Sequence, residues 1–299
     1  MSRPVQRHRT QRTSRPRANP ELLAELAYRL TQRDREVIEL VWEHRVLTTH
    51  QLTAICFGNY SKARHRLLAL YRLTALERFQ PWTPSGSTPW HWVLGPGGAH
   101  VLAGERGIDP AELGYRREAA LAISHSAKLG HQVGVNDFFA RLHTATRTHP
   151  GSAVAKWWDE RRCAALWGDL AHPDAYGRWT EPHAEIDFFL EHDTGSETLA
   201  RVADKLAGYA SLAESTGITT PVLLWLPSTA REANLRKRLG TPEVPVATAV
   251  HTPATAPEGP AGRVWLPTGS SGPRLRLADL ASAWPEAARQ NHSAPGKAS

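Results

Sequence analysis

The sequence predicts an α+β / α/β protein, in which a helical unit closed by a two-stranded hairpin precedes a mixed α/β unit. Three observations carry that prediction. Apolar residues recur at helical spacing between Leu22 and Leu76, two strand-like runs then flank a turn rich in Pro, Ser and Gly, and farther on strand-like runs alternate with a long amphipathic helix. The 299 residues are 41% hydrophobic, enough core for about two domains.

Residues 1–20 hold Arg, Pro, Ser, Thr and Gln with almost nothing apolar, and read as a disordered basic arm. From Glu21 the spacing becomes helical through Leu22, Leu23, Leu26 and Leu30. Thr31 with Asp34 three residues later is a capping arrangement for a helix over 31–45. A short second helix spans 48–57, capped by Thr48 or Thr49 and ended by Gly58. A third is expected over 61–76, with Leu67, Leu70, Leu73 and Leu76 as its buried stripe. Residues 77–82 and 90–94 read as strands around a turn over 83–89, Gly95–Gly98 as a closing turn, and 100–106 as the start of another helix.

Residues 116–146 form one or two helices with Val133, Phe138 and Leu142 as their apolar repeat. Strand candidates follow at 154–159, 163–166, 184–191 and 221–226, with a helix over 198–214 between the last two. Strand, helix, strand in that order is a parallel crossover. After Gly240 the Thr, Pro, Ala and Gly content reads as a linker, and 263–284 regains enough apolar residues to dock back on the body. The expected domains are therefore 1–20, 21–114, 115–240 and 241–299.

Charge is concentrated at one end. Lys and Arg number 36 against 29 Asp and Glu, but Arg3, Arg7, Arg9, Arg12, Arg15 and Arg17 lie in the arm, leaving a nearly neutral body. Such an arm points to a polyanionic partner. The two cysteines, Cys56 and Cys163, give neither a disulfide framework nor a paired-cysteine zinc site. No apolar stretch approaches the roughly 18 residues of a spanning helix, and a cytoplasmic protein is expected without a membrane partner. No Gly-rich loop ends in Gly-Lys-Ser/Thr, so no nucleotide cofactor is expected, and zinc is not expected either.

Three helices and a hairpin make the winged helix-turn-helix pattern, whose third helix enters the major groove of duplex DNA. Ser61, Lys62, Arg64, His65, Arg66 and Arg72 are its expected DNA-facing residues, and no acid occurs between Asn59 and Leu76. The wing adds Arg78, Gln80, Ser85 and Ser87, while Trp82, Trp90 and Trp92 are expected to pack the hairpin onto the helices.

The second informative segment runs His172-Pro173-Asp174-Ala175, then Glu185 through Asp193. Strand alternation puts Asp187, Glu191 and Asp193 on one face, where a divalent metal is an obvious compensating charge. Pro-Asp followed by Glu191 at the end of an apolar strand, then a helix, resembles the PD-(D/E)xK nuclease superfamily. The resemblance implies Asp174 and Glu191 as ligands of Mg2+, a catalytic set of Asp174, Glu191, Asp193 and Lys205, and an additional acid near Asn136 and Asp137. The superfamily's lysine position holds Asp193 here, and Lys205 on the following helix is the candidate for a migrated lysine.

The order of the hairpin unit, His131 through Asp137, Pro173-Asp174, Phe189 through Thr194 and Lys205 to Tyr209 resembles the actinobacterial replication-relaxation family of plasmid and mobile-element proteins, over about residues 28–240. That resemblance implies a DNA-binding role in replication or relaxation, with other plasmid replication or transfer proteins as partners. Two other readings stay open: a metal-dependent DNA endonuclease acting alone, and a winged-helix transcriptional regulator or scaffold whose nuclease-like domain is inactive.

Overall fold

The computed structural model describes residues 20–84, 86–285 and 287. The arm arginines, the wing residue Ser85 and the end of the tail lie outside the described residues. The chain divides into two compact units between Asn136 and Asp137, inside a helix.

The first unit begins with α1 (Pro20–Arg29) and α2 (Gln32–Glu43). Thr31 and Asp34 form the expected capping box, which satisfies donors that the first turn leaves open. A strand not foreseen in the sequence, β1 (Leu47–Thr48), precedes α3 (Thr49–Leu52), which runs on as a π-helical turn from Thr53 to Phe57 and stops at left-handed Gly58. Next come α4 (Tyr60–Arg72), β2 (Leu76–Phe79) and β3 (His91–Leu94). The third helix is one turn shorter than expected because Thr74 takes a left-handed backbone (φ 59°), which sends Leu76 into β2. The three strands pair antiparallel in the order β1-β3-β2.

Gly95–Gly98 is not a closing turn. Gly95 caps α5 (Pro96–Arg106), with Pro96 in the first turn where its missing N–H costs nothing. The glycines let this helix lie against the chain just before β2: a Cβ on Gly98 would come 2.3 Å from the Ala75 carbonyl oxygen, and one on Gly95 2.2 Å from that of Thr74. Backbone cannot give way as a side-chain tip can. Gly98→Ala should therefore lower stability by roughly 1–3 kcal/mol, read as a lower Tm, whereas Gly104→Ala, with nothing within 4 Å, should not. The unit ends with α6 (Arg117–Ala122), a 3-10 turn at Ile123–His125 and the first half of α7 (Leu129–Ala145). Ile123 closes a small core with Val46, Phe79 and Val93.

The second unit is a six-stranded sheet in the order β4-β5-β6-β7-β8-β9: β4 (Ala153–Asp159), β5 (Ala175–Glu181), β6 (Ala184–His192), β7 (Val222–Leu226), β8 (Val246–Val250) and β9 (Leu266–Pro267). The first three strands are antiparallel, β6, β7 and β8 run parallel, and β9 returns antiparallel. Residues 163–166 are not a strand. Asp159 accepts the Arg162 N–H at 3.0 Å and caps α8 (Glu160–Trp167), burying Cys163.

The parallel crossovers are α9 (Leu199–Thr216), as expected, and α10 (Thr229–Leu239). The segment after Gly240 is not a linker throughout, because β8 is buried along its length and α11 (Leu280–Ala283) follows Trp265, which bridges Leu275. One core groups Tyr176, Phe189, Val202, Leu206, Tyr209 and Leu224. An aromatic cluster of Phe138, Phe188, Trp225 and Trp265 forms a further part of this unit's interior. No helix among the described residues is long and apolar enough to cross a membrane.

Candidate nucleic-acid interface and carboxylate site

Helix α4 buries Ala63, Leu67 and Leu70 and leaves Ser61, Lys62, Arg64, His65 and Arg72 exposed. Two other expected DNA contacts are engaged within the unit. Arg66 donates from Nε to Asp34 at 2.7 Å and from Nη2 to the Arg29 carbonyl at 2.9 Å, tying α4 to the capping box of α2. Burial of Asp34 favours its neutral form, but the hydrogen bonds from Arg66 and Thr31 outweigh that and hold its carboxyl below the ordinary range.

Arg78 lies in an aromatic nest, its guanidinium 3.9 Å from the Trp90 ring centroid and 4.5 Å from that of Tyr71. Of the three hairpin tryptophans, Trp92 is buried and donates to the Thr49 hydroxyl at 2.9 Å, and Trp90 covers Arg78. Trp82 departs from the expected packing role, with 59% of its surface exposed.

In the second unit each strand acid has its own partner. Asp187 takes a two-pronged contact from Arg178, at 2.6 and 2.7 Å. Asp193 pairs with Arg231 and accepts the Gly195 N–H at 2.7 Å. The compensation expected from a metal is thus supplied at both positions by arginines of the chain. Asp193, which the nuclease resemblance puts where a lysine is expected, faces Arg231.

Glu191 differs. Buried on β6, it accepts from Lys205 Nζ at 2.8 Å and from the Tyr209 hydroxyl, both on the face that α9 turns to the sheet. The four-residue spacing of Lys205 and Tyr209 puts them one turn apart, so one carboxylate meets both. Asp174 enters from just before β5. Its N–H donates to the Leu190 carbonyl at 3.1 Å and its Oδ2 accepts the His192 N–H at 2.7 Å, which fixes it across from Glu191.

Burial and the negative charge of Asp174 push Glu191 up to about 7. Lys205 loses solvation by burial, yet Glu191, Asp174 and Glu197 together drive its pKa above the ordinary range. Tyr209 is raised as well, by burial and by Glu191. Burial leads the upward shifts of Glu191 and Tyr209, and neighbouring carboxylates add to them and raise Lys205.

Asp174, Glu191 and Lys205 are therefore brought together and Asp193 stands apart. Asn136 and Asp137 also serve elsewhere: Asn136 donates to the Val46 carbonyl at 2.6 Å, and Asp137 pairs with Arg141 at 2.8 Å. Sequence reasoning missed Glu197, 3.2 Å from Lys205 Nζ, and gave Tyr209 no role. The helical repeat joining Lys205 to Tyr209 was the one signal for the latter. Among the described residues, no group of three or more His, Cys, Asp or Glu side chains is placed to hold a metal ion.

Residues 38–223 match the family model described as replication-relaxation, which is more than half of the chain. The chain belongs to the replication-relaxation family. The replication-relaxation match opens within α2 and closes in β7, so it takes in α4, the hairpin, Asp174, Glu191, Lys205 and Tyr209, while β8 and β9 lie beyond it. No curated protein and no solved structure matches the chain.

Proposed function

We propose that this chain is a duplex-DNA-binding replication factor of a plasmid or other mobile element. Its first unit is read as a winged helix-turn-helix that lays α4 in the major groove, and its second as a PD-(D/E)xK-like domain. The observation that carries the DNA reading is the order α2, β1, α3, α4, β2, β3 with the sheet order β1-β3-β2, combined with an α4 that exposes Lys62, Arg64, His65 and Arg72 and carries no acid. Family membership supports the replication role.

A second reading, divalent-metal-assisted cleavage of a phosphodiester, is favoured by the meeting of Asp174, Glu191 and Lys205. The donor chemistry fits Mg2+: two carboxylates provide hard oxygen ligands, and a divalent cation would offset the burial and the neighbouring Asp174 charge that raise Glu191. Asp174 and Glu191 would hold the ion, which would supply Lewis-acid stabilisation of phosphate charge and a more acidic bound water. Lys205 would orient that water or the phosphate through its ammonium, and Tyr209 keeps Glu191 in place through its hydroxyl.

A supercoiled-plasmid assay with Mg2+ or Mn2+ tests this site. If the second reading holds, the wild type nicks the plasmid, and Asp174→Ala and Glu191→Ala do not while still binding it. Intact binding without nicking by the wild type removes the cleavage reading and leaves the binding role.

A further inference from the structure

We propose that Trp82 is an apolar contact by which the hairpin loop engages DNA beside α4, stacking on a base or deoxyribose face rather than neutralising phosphate. The inference rests on the DNA-binding reading of the first unit and adds a non-electrostatic contact to it. Trp82 is 59% exposed, in a hairpin whose other tryptophans are engaged with Thr49 and Arg78.

The loop that carries it is tied across. Gln80 donates its side-chain amide to the Thr88 carbonyl, and the Thr88 hydroxyl donates to the Pro81 carbonyl at 2.6 Å. Pro81, Pro84 and Pro89 restrict the backbone further. The indole is therefore presented from a braced loop, which lowers the entropy lost when it is held against a partner.

Charge decides which part of the DNA it meets. Residues 80–90 contain no ionisable side chain, so the loop has no charge with which to neutralise phosphate. The cations sit instead on α4, at Lys62, Arg64 and Arg72, and that division leaves the apolar faces of bases and sugars to Trp82.

The test is a fluorescence-anisotropy titration of a labelled mixed-sequence duplex at several salt concentrations, using full-length wild type, Trp82→Ala, Trp82→Phe and, for contrast, Arg64→Ala. Trp82→Ala should bind roughly 5- to 100-fold more weakly with an unchanged salt slope, and Trp82→Phe should recover most of the loss. Arg64→Ala should instead reduce the slope by about one. Because the indole is exposed, Trp82→Ala should keep the wild-type Tm. Wild-type affinity in Trp82→Ala, or a loss that comes with a reduced slope, overturns the proposal while leaving the DNA reading standing. A wild type without salt-weakened binding overturns both.

Discussion

Glu191→Gln should gain stability relative to the wild type as pH rises from about 4.5 to about 7. The ordinary glutamate value is 4.5, and burial with Asp174 beside it raises Glu191 to about 7 in the folded chain. Between those values the folded state holds a proton that the unfolded state has released. Stability falls with rising pH wherever the folded state binds more protons, so Glu191 by itself takes away up to about 3 kcal/mol across this window, at about 1.4 kcal/mol per unit; His143, which burial lowers to about 4, contributes in the opposite sense but equally in wild type and variant. Glutamine keeps the shape, carries no charge and still accepts from Tyr209. Chemical denaturation at a series of pH values, wild type against variant, measures the difference. Parallel profiles would mean that burial and Asp174 do not raise Glu191 in the folded chain.

The second large effect concerns DNA. Replacing Lys62, Arg64 and Arg72 together by Ala should weaken duplex binding roughly 100-fold, at about 1 kcal/mol for each cation removed from a phosphate, and reduce the salt slope by about three. All three are exposed, so the fold should survive. Arg66→Ala should behave differently, because its guanidinium is spent on Asp34 and the Arg29 carbonyl. It should lower Tm while leaving the salt slope close to wild type. Anisotropy titrations paired with thermal melts separate the two classes, and an unchanged slope in the triple variant would remove α4 from the interface.

The legible parts of this fold were those written in local sequence. Thr31 and Asp34 announce a capping box, and the apolar run from Ala184 with its following helix gives β6, α9 and β7. The elements hidden from the sequence are set by distant partners. Strand β1 is two residues long and exists through its pairing with His91 and Trp92, which no local periodicity reveals. Strand β5 is interrupted in appearance by Gly177, where a Cβ would come 2.4 Å from the Phe188 ring, so the glycine belongs to the packing of the neighbouring strand. Strand β8 has the composition of a linker, yet Val246, Ala247, Ala249 and Val250 are all buried between β7 and β9.

The site followed the same division. Asp174, Glu191 and Lys205 were marked by the resemblance to the PD-(D/E)xK nucleases, and they meet because a strand end followed by a helix brings such residues to one edge. Glu197 was not, since its loop is held by Arg231, 34 residues away, through a 2.6 Å bond to the Glu197 carbonyl. Arg66 and Arg78 looked like surface cations for the converse reason: the Asp34 carboxylate and the Trp90 ring that engage them are remote in sequence.

Everything proposed for this member of the replication-relaxation family depends on its acting on duplex DNA. The affinity of the full-length protein for a labelled duplex, followed as a function of salt concentration, decides that point. Duplex binding should weaken steeply, and linearly in log-log form, as salt rises. Binding that is absent at low salt, or indifferent to salt throughout, would contradict the DNA-binding role.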